Sequence, residues 1–277
     1  MEKLTSIFVV AEGVEFGTRV LEKAMMLARG FGARVELLPG DDRDLEYFAA
    51  LCAARGFEEV TLCSVSRCAQ SFEDVILRRV FETSPDLVVK GLTSGSSDDT
   101  RALSRVDQHL AAACPVPVIL MRGHAWSSPV RIAAAVDVSK ETGFLEQSIL
   151  HTAGFLSLGL EGALDVIYSE REKQDEVLRM ARAVKLARMV REFHVEGERV
   201  RRVEGAPEEA LIPMVASDDY DVLILGAVTH RSGLAAMHGS LTRKLVNACK
   251  GDVVLVKEEY HTPALEERAP LKSRAAL

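Results

Sequence analysis

Aromatic residues are scarce, at 5% of a 277-residue chain with a single tryptophan, so the core has to be built mostly from aliphatic side chains. Cysteine is also sparse. The five present (Cys52, Cys63, Cys68, Cys114, Cys249) make an odd number with no Cys-x-x-Cys pair, which speaks against a disulfide framework or a zinc site and for reduced, mostly buried thiols. There is no basic excess. A net charge of −7 argues against general nucleic-acid binding, which needs a basic surface to neutralise phosphates. No apolar run approaches the length that crosses a bilayer, and Met1 to Val10 lacks the basic flank and apolar core of a signal segment. A cytoplasmic protein with no membrane span is the expectation. Two nucleotide motifs are missing as well, since neither GxxxxGK[ST] nor a GxGxxG after any strand occurs.

What is present is ordinary α/β material, 48% hydrophobic and 27% charged. Apolar runs and helical periodicities alternate along the chain. Strands are predicted at 4–10, 33–38, 60–65, 86–90 and 116–121, with helices at 16–30, 41–55, 71–83 and 103–113 between them. Gly30 and Gly32 read as the end of the first helix, and Phe72, Val75, Ile76, Val80 and Phe81 as the inward face of the third. A segment containing Gly, Trp, Ser and Pro, 123–129, then breaks the pattern, and strand and helix signals resume from Val130. Helices at 141–156, 172–193 and 207–216 alternate with strands at 130–136, 163–168 and 199–203, and Pro207 sits where a first-turn proline is tolerated.

The chain also repeats itself. At an offset of about 135 residues, DLVVKG from Asp86 lies over DVLILG from Asp221, and HLAAACPVPVIL from His109 lies without a gap over KLVNACKGDVVL from Lys244. The match brings Gly91 onto Gly226 and Cys114 onto Cys249. A tandem duplication follows, with one domain at 1–122, a second at 130–257 and a charged, proline-punctuated tail at 258–277. Helix 172–193 carries Arg179, Arg182, Lys185, Arg188 and Arg191, whose three-residue steps spiral around a helix of 3.6 residues per turn, so they read as solvated surface. Asp175 stands four before Arg179, a helix-stabilising spacing.

The chemistry concentrates in Asp221 to Lys257, which reads strand, loop, helix, strand. A helix that starts just past a strand end presents unpaired backbone N–H groups, a ready place for an anion. Gly226 closes the strand, Thr229 follows three later, and Gly239-Ser240 opens the helix after nine intervening residues. On this spacing, and on GAPEEALIP and LGAVTHRSGLAAMHGS, the chain resembles the universal stress protein family, in particular its tandem E-type members. The resemblance implies two tandem five-stranded parallel-sheet domains of adenine nucleotide α-hydrolase-like, Rossmann-like type, docked as a pseudo-dimer through their last strands. It further implies that Gly226, Gly239, Ser240 and Leu241 contact phosphate and ribose, that Asp137 lies beside the nucleotide, and that Val166 offers backbone to the adenine edge. Thr229 departs from the glycine of nucleotide-binding members.

Charge distinguishes the two helix starts. Arg243 and Lys244 fall in the first turn of the second-half helix, where the macrodipole disfavours cations by about 0.3–1 kcal/mol each, and a bound phosphate would relieve that. In the first half, Ser104 can cap and Asp107 can place its own carboxylate on the free N–H groups, which seals that site. Asp107 and His109 point to different sides of a helix and make no metal pair. His230, Arg231 and His238 lie in the second-half loop, but no Ser/His/Asp or Cys/His set can be assembled, so no catalytic residue is assigned. Three readings stay open: a stress-response protein that binds ATP or AMP in its second half without strong turnover, a scaffold or carrier for an apolar or phosphorylated metabolite, and an ATP-hydrolysing switch using His230 or Arg231. A homodimer is compatible with all of them.

Overall fold

The computed structural model describes residues 4–64, 71–92, 103–139, 144–170, 175–192, 199–217, 219–227 and 241–257. Its strands are β1 (Ser6–Ala11), β2 (Arg34–Pro39), β3 (Val60–Leu62), β4 (Leu87–Gly91), β5 (Val118–Met121), β6 (Arg131–Ala135), β7 (Ala163–Glu170), β8 (Val200–Glu204), β9 (Val222–Gly226) and β10 (Asp252–Val256). The helices are α1 (Val14–Phe31), α2 (Leu45–Arg55), α3 (Phe72–Thr83), α4 (Arg105–Ala113), α5 (Phe144–Gly159), α6 (Glu176–Glu192), α7 (Pro207–Ala216) and α8 (Leu241–Ala248). All ten strands form one sheet in the order β3-β2-β1-β4-β5-β10-β9-β6-β7-β8. Every neighbouring pair is parallel except β5 and β10, which run antiparallel. Where two five-stranded sheets docked through their last strands were expected, one ten-stranded sheet continues across the chain's midpoint, joined at β5 and β10.

Buried parallel strands read as unbroken apolar runs because helices cover both faces. Phe8, Val9 and Val10 of β1 and Leu223 and Ile224 of β9 are fully buried. The side chains divide by strand alternation into two clusters, one on each face of the sheet. Two aspartates, a repeat length apart, tie strands together at their starts. Asp86 accepts from the Thr5 and Ser6 N–H groups at 2.7 and 3.0 Å, and Asp221 accepts from the Ser127 and Arg131 N–H groups at 3.2 and 2.8 Å. Burial pushes the pKa of each carboxyl up, but the donated hydrogen bonds prevail and leave both below the usual aspartate value.

Several predicted boundaries move for physical reasons. Gly32, at φ 65°, ends α1 in the left-handed conformation and donates to Ala28 O, whereas Gly30 lies inside the helix. Gly30 is there for closeness, since a Cβ on it would stand 2.2 Å from Gly159 O of α5. Beside it Phe31 stacks on Phe155 with ring centroids 4.4 Å apart. The 41–55 helix divides into a 3-10 turn, Asp42–Asp44, and α2, because Asp41 turns back to accept from Arg43 N–H. Phe81, expected inside, is 63% exposed, and Leu77 takes the buried place on α3. Arg179 pairs with Glu176 at 2.5 Å rather than with Asp175, which instead accepts from Val177 N–H at the start of α6.

The middle of the sheet is clamped from both sides. An ion pair is buried here: Lys23 Nζ lies 2.5 Å from Asp252, which also accepts from Trp126 Nε1 at 2.8 Å and Arg122 N–H at 2.7 Å. The Arg122 side chain, just past β5, donates to Gly251 O at 3.1 Å and Val246 O at 2.5 Å. Lys257, just past β10, donates in return to Cys114 O. Cys52, Cys63, Cys114 and Cys249 are free thiols, and burial pushes Cys63 up to about 12.

Candidate functional site

A cavity of ≈ 520 Å³ opens at the carboxyl ends of the second-half strands. It lies where the strand order reverses: from β6 the chain steps outward to β7 and β8, then returns to place β9 on the other side of β6. Helices on opposite faces leave a crevice at such a point, which is where open α/β sheets take ligands. Backbone positions set its walls. Val136 N–H makes the last ladder bond of this edge, to Ile167 O at 3.0 Å, and the chain then leaves the sheet into Asp137. The Asp137 carboxylate accepts from both Ser139 N–H (3.0 Å) and Ser139 Oγ (2.5 Å), which holds it at the cavity rim in a tight turn.

On the opposite wall Gly226 ends β9 and Leu241 opens α8. Gly226 has no room for a side chain, because a Cβ would meet Leu145 Cδ2 at 2.6 Å and Cγ at 3.0 Å. Thr242 Oγ1 donates to Gly226 O at 3.1 Å and so fixes the start of α8 against the strand end. Lys244, expected to stand behind a phosphate, reaches Glu208 of α7 at 2.5 Å. That cation is thus committed to a helix pair. Ser169 of β7, Arg182 of α6, Gly205 and Pro207 also line the cavity.

The structure brings together Asp137, Gly226 and Leu241 of the residues singled out in the sequence. Val166 lies apart from them, fully buried in mid-strand and registered between Ala134 and Val200; Ser169 is the residue of its strand that reaches the cavity. Thr229, Gly239 and Ser240, with His230, Arg231 and His238, lie outside the described residues. Five polar residues of the lining escaped the sequence reading: Thr242, Ser139, Ser169, Arg182 and Glu146, the last only 2% exposed in the first turn of α5. Thr242 sits two past Gly239-Ser240 and was findable there. Arg182 was hidden because its neighbours on the same spiral of cations do face solvent.

Chemically the cavity has an aliphatic body, including Ile149, Leu211, Leu225 and Leu245, with carboxylates at Asp137 and Glu146 and a guanidinium at Arg182. Such a lining suits a ligand with one flat or apolar part and polar ends.

The comparisons with known proteins agree with this architecture. The Universal stress protein family profile matches residues 148–257. A Haemophilus influenzae protein named universal stress protein E homolog is 24% identical over 204 residues, which span 66% of this chain and 66% of that protein. Universal stress protein E of Salmonella typhi is 22% identical over 69% of this chain and 67% of its own length. Among solved structures, a candidate universal stress protein from Pseudomonas aeruginosa UCBPP-PA14 superposes with a TM-score of 0.78 at 21% identity, covering 92% of this chain and 94% of its own. A universal stress protein from Archaeoglobus fulgidus does so with a TM-score of 0.61 at 15% identity, covering 92% and 97%. At these identities the structural likeness speaks for the fold. The likeness to the universal stress protein family is thus one of sequence through residues 148–257 and one of fold across most of the chain.

Proposed function

We propose that this chain is a tandem pair of universal stress domains, 1–122 and 130–257 with a tail at 258–277, that acts in the stress response by binding an adenine nucleotide, ATP or AMP, in its second half without strong turnover. The observation that carries the reading is the cavity at the β6–β9 reversal, where Asp137, Gly226 and Leu241 meet. In this reading the phosphate lies toward the start of α8, the ribose beside Asp137, and the base in the aliphatic body of the cavity. The matching strand orders of the two halves and their antiparallel β5–β10 seam support the tandem organisation. Calorimetric titration of the purified protein with ATP and AMP tests it, together with mass spectrometry of small molecules that copurify. Saturable binding of one nucleotide per chain is expected, and no heat with either nucleotide overturns the reading.

A second reading rests on the aliphatic lining and on Thr229 in place of glycine: a carrier for an apolar or phosphorylated metabolite. Copurification of such a molecule, with no competition by ATP, would favour it. Phosphate release from ATP no faster than in buffer alone separates both readings from a hydrolytic switch.

A further inference from the structure

The two halves repeat each other closely enough to be compared place by place. Ile7 pairs with Leu87 as Ile132 pairs with Val222, so Glu12 and Asp137 stand at matching points beyond their strands. Along the repeat Lys90 matches Leu225, Gly91 matches Gly226, and Asp107 matches Thr242. In the second half these places line the cavity. In the first half they hold an ion cluster. Lys90 is fully buried, and its Nζ lies 3.1 Å from Glu12 Oε2, 2.8 Å from Asp107 Oδ1 and 3.0 Å from Gly91 O. Two of these contacts, to Glu12 and Gly91 O, are hydrogen bonds, while Asp107 Oδ1 meets the ammonium as an ion pair and has no hydrogen-bond partner. Asp107, 1% exposed, uses its other oxygen to accept from Ser104 N–H at 2.8 Å at the start of α4, while Ser104 Oγ accepts from Asp107 N–H at 3.2 Å.

We infer that the residue pair at these two places determines which half of the chain takes a ligand: Lys90 with Asp107 closes the first half, and Leu225 with Thr242 keeps the second open. Asp107 supplies the anion that the start of α4 would otherwise take from solution, and Lys90 fills the space beneath it. In the second half Leu225 carries no charge and Thr242 turns its hydroxyl onto Gly226 O, so neither of these two residues places an anion at the start of α8. The identity of that ligand rests on the nucleotide reading, whereas the closure of the first half does not.

The test has two arms. In the first, the Leu225→Lys/Thr242→Asp chain is titrated with ATP beside the unaltered chain, with circular dichroism and thermal unfolding as controls of the fold. Affinity is expected to fall by at least about tenfold. Unchanged ATP affinity in the double variant overturns the inference, and absence of binding to the unaltered chain overturns the nucleotide reading alone. The second arm needs no ligand. Lys90→Leu is expected to lower the unfolding temperature sharply by stranding two carboxylates, and adding Asp107→Thr is expected to restore part of the loss. Strictly additive losses show that the two residues do not act as a closing pair, and overturn the inference whatever the first arm gives.

Discussion

Single charged residues carry much of the contact across the midpoint of the sheet, and two of them make measurable predictions. Asp252 is 1% exposed and serves Lys23, Trp126 and Arg122 together. Replacing it with alanine leaves the buried Lys23 ammonium without its counter-ion, and removing one partner of a buried pair costs about 3–5 kcal/mol. Urea denaturation of Asp252→Ala should show a loss of that size, and Asp252→Asn, which keeps an acceptor, a smaller one. Lys257 acts on pH dependence. Burial holds its ammonium down at about 8, below the ordinary 10.5, against a smaller opposing influence of Cys114. The unfolded chain therefore binds more protons than the folded one between those values, and this residue makes stability rise with pH across that window. Lys257→Met should remove that rise, read as the difference between the two proteins' urea midpoints at pH 7 and pH 10.5. Residues of this kind are partly legible in sequence. The Ser104 and Asp107 capping box was visible from its spacing. Lys90 beneath it was not, because a lysine ending an apolar strand reads as the first exposed residue until the fold brings Glu12 and Asp107 around it.

At the scale of elements, helix and strand types followed from periodicity, while their exact ends depended on contacts far away in the chain. Gly30 illustrates this. A glycine near a helix end reads locally as a stop signal, and only the packing of α1 against α5 shows that it is needed for close approach to Gly159. Two effects of Gly30→Ala oppose each other. Helix propensity favours alanine by roughly 0.5–1 kcal/mol, while a Cβ 2.2 Å from a backbone oxygen forces the helices apart, and overpacking of this kind costs about 1–3 kcal/mol. The clash involves backbone and cannot be relieved by a rotamer change, so net destabilisation is expected in a urea titration. A net gain in stability would show that α1 and α5 yield to the added methyl at little cost. The cavity shows the same dependence on distant contacts. Asp137, Gly226 and Leu241 were named by the family resemblance, and they fall at strand ends and a helix start. Arg182 and Glu146 arrive from helix flanks, whose facing depends on how α5 and α6 lie on the sheet.

On the scale of the whole molecule, the order β3-β2-β1-β4-β5 is mirrored by β8-β7-β6-β9-β10, and the two runs meet at the antiparallel pair of β5 and β10. Sheet continuity across this seam buries Val118 to Met121 almost completely and removes two strand edges that would otherwise face water. A chain cut after residue 122 would lose β10 and with it Asp252, so Lys23 would lose its counter-ion and β5 would present an apolar, unpaired edge. Pairing of β5 with β5 of another copy in the antiparallel sense would restore a seam of the same form, since β5 and β10 occupy matching places in the repeat. Residues 1–122 expressed alone should therefore sediment as dimers or larger species at concentrations where they remain dissolved, and salt should weaken that association little because the contact is apolar backbone pairing. A stable monomer of 1–122 would show instead that the first half closes its own edge. In that case the clamps at Asp252, Arg122 and Lys257 would serve to orient two self-sufficient halves, with the second-half cavity independent of its neighbour.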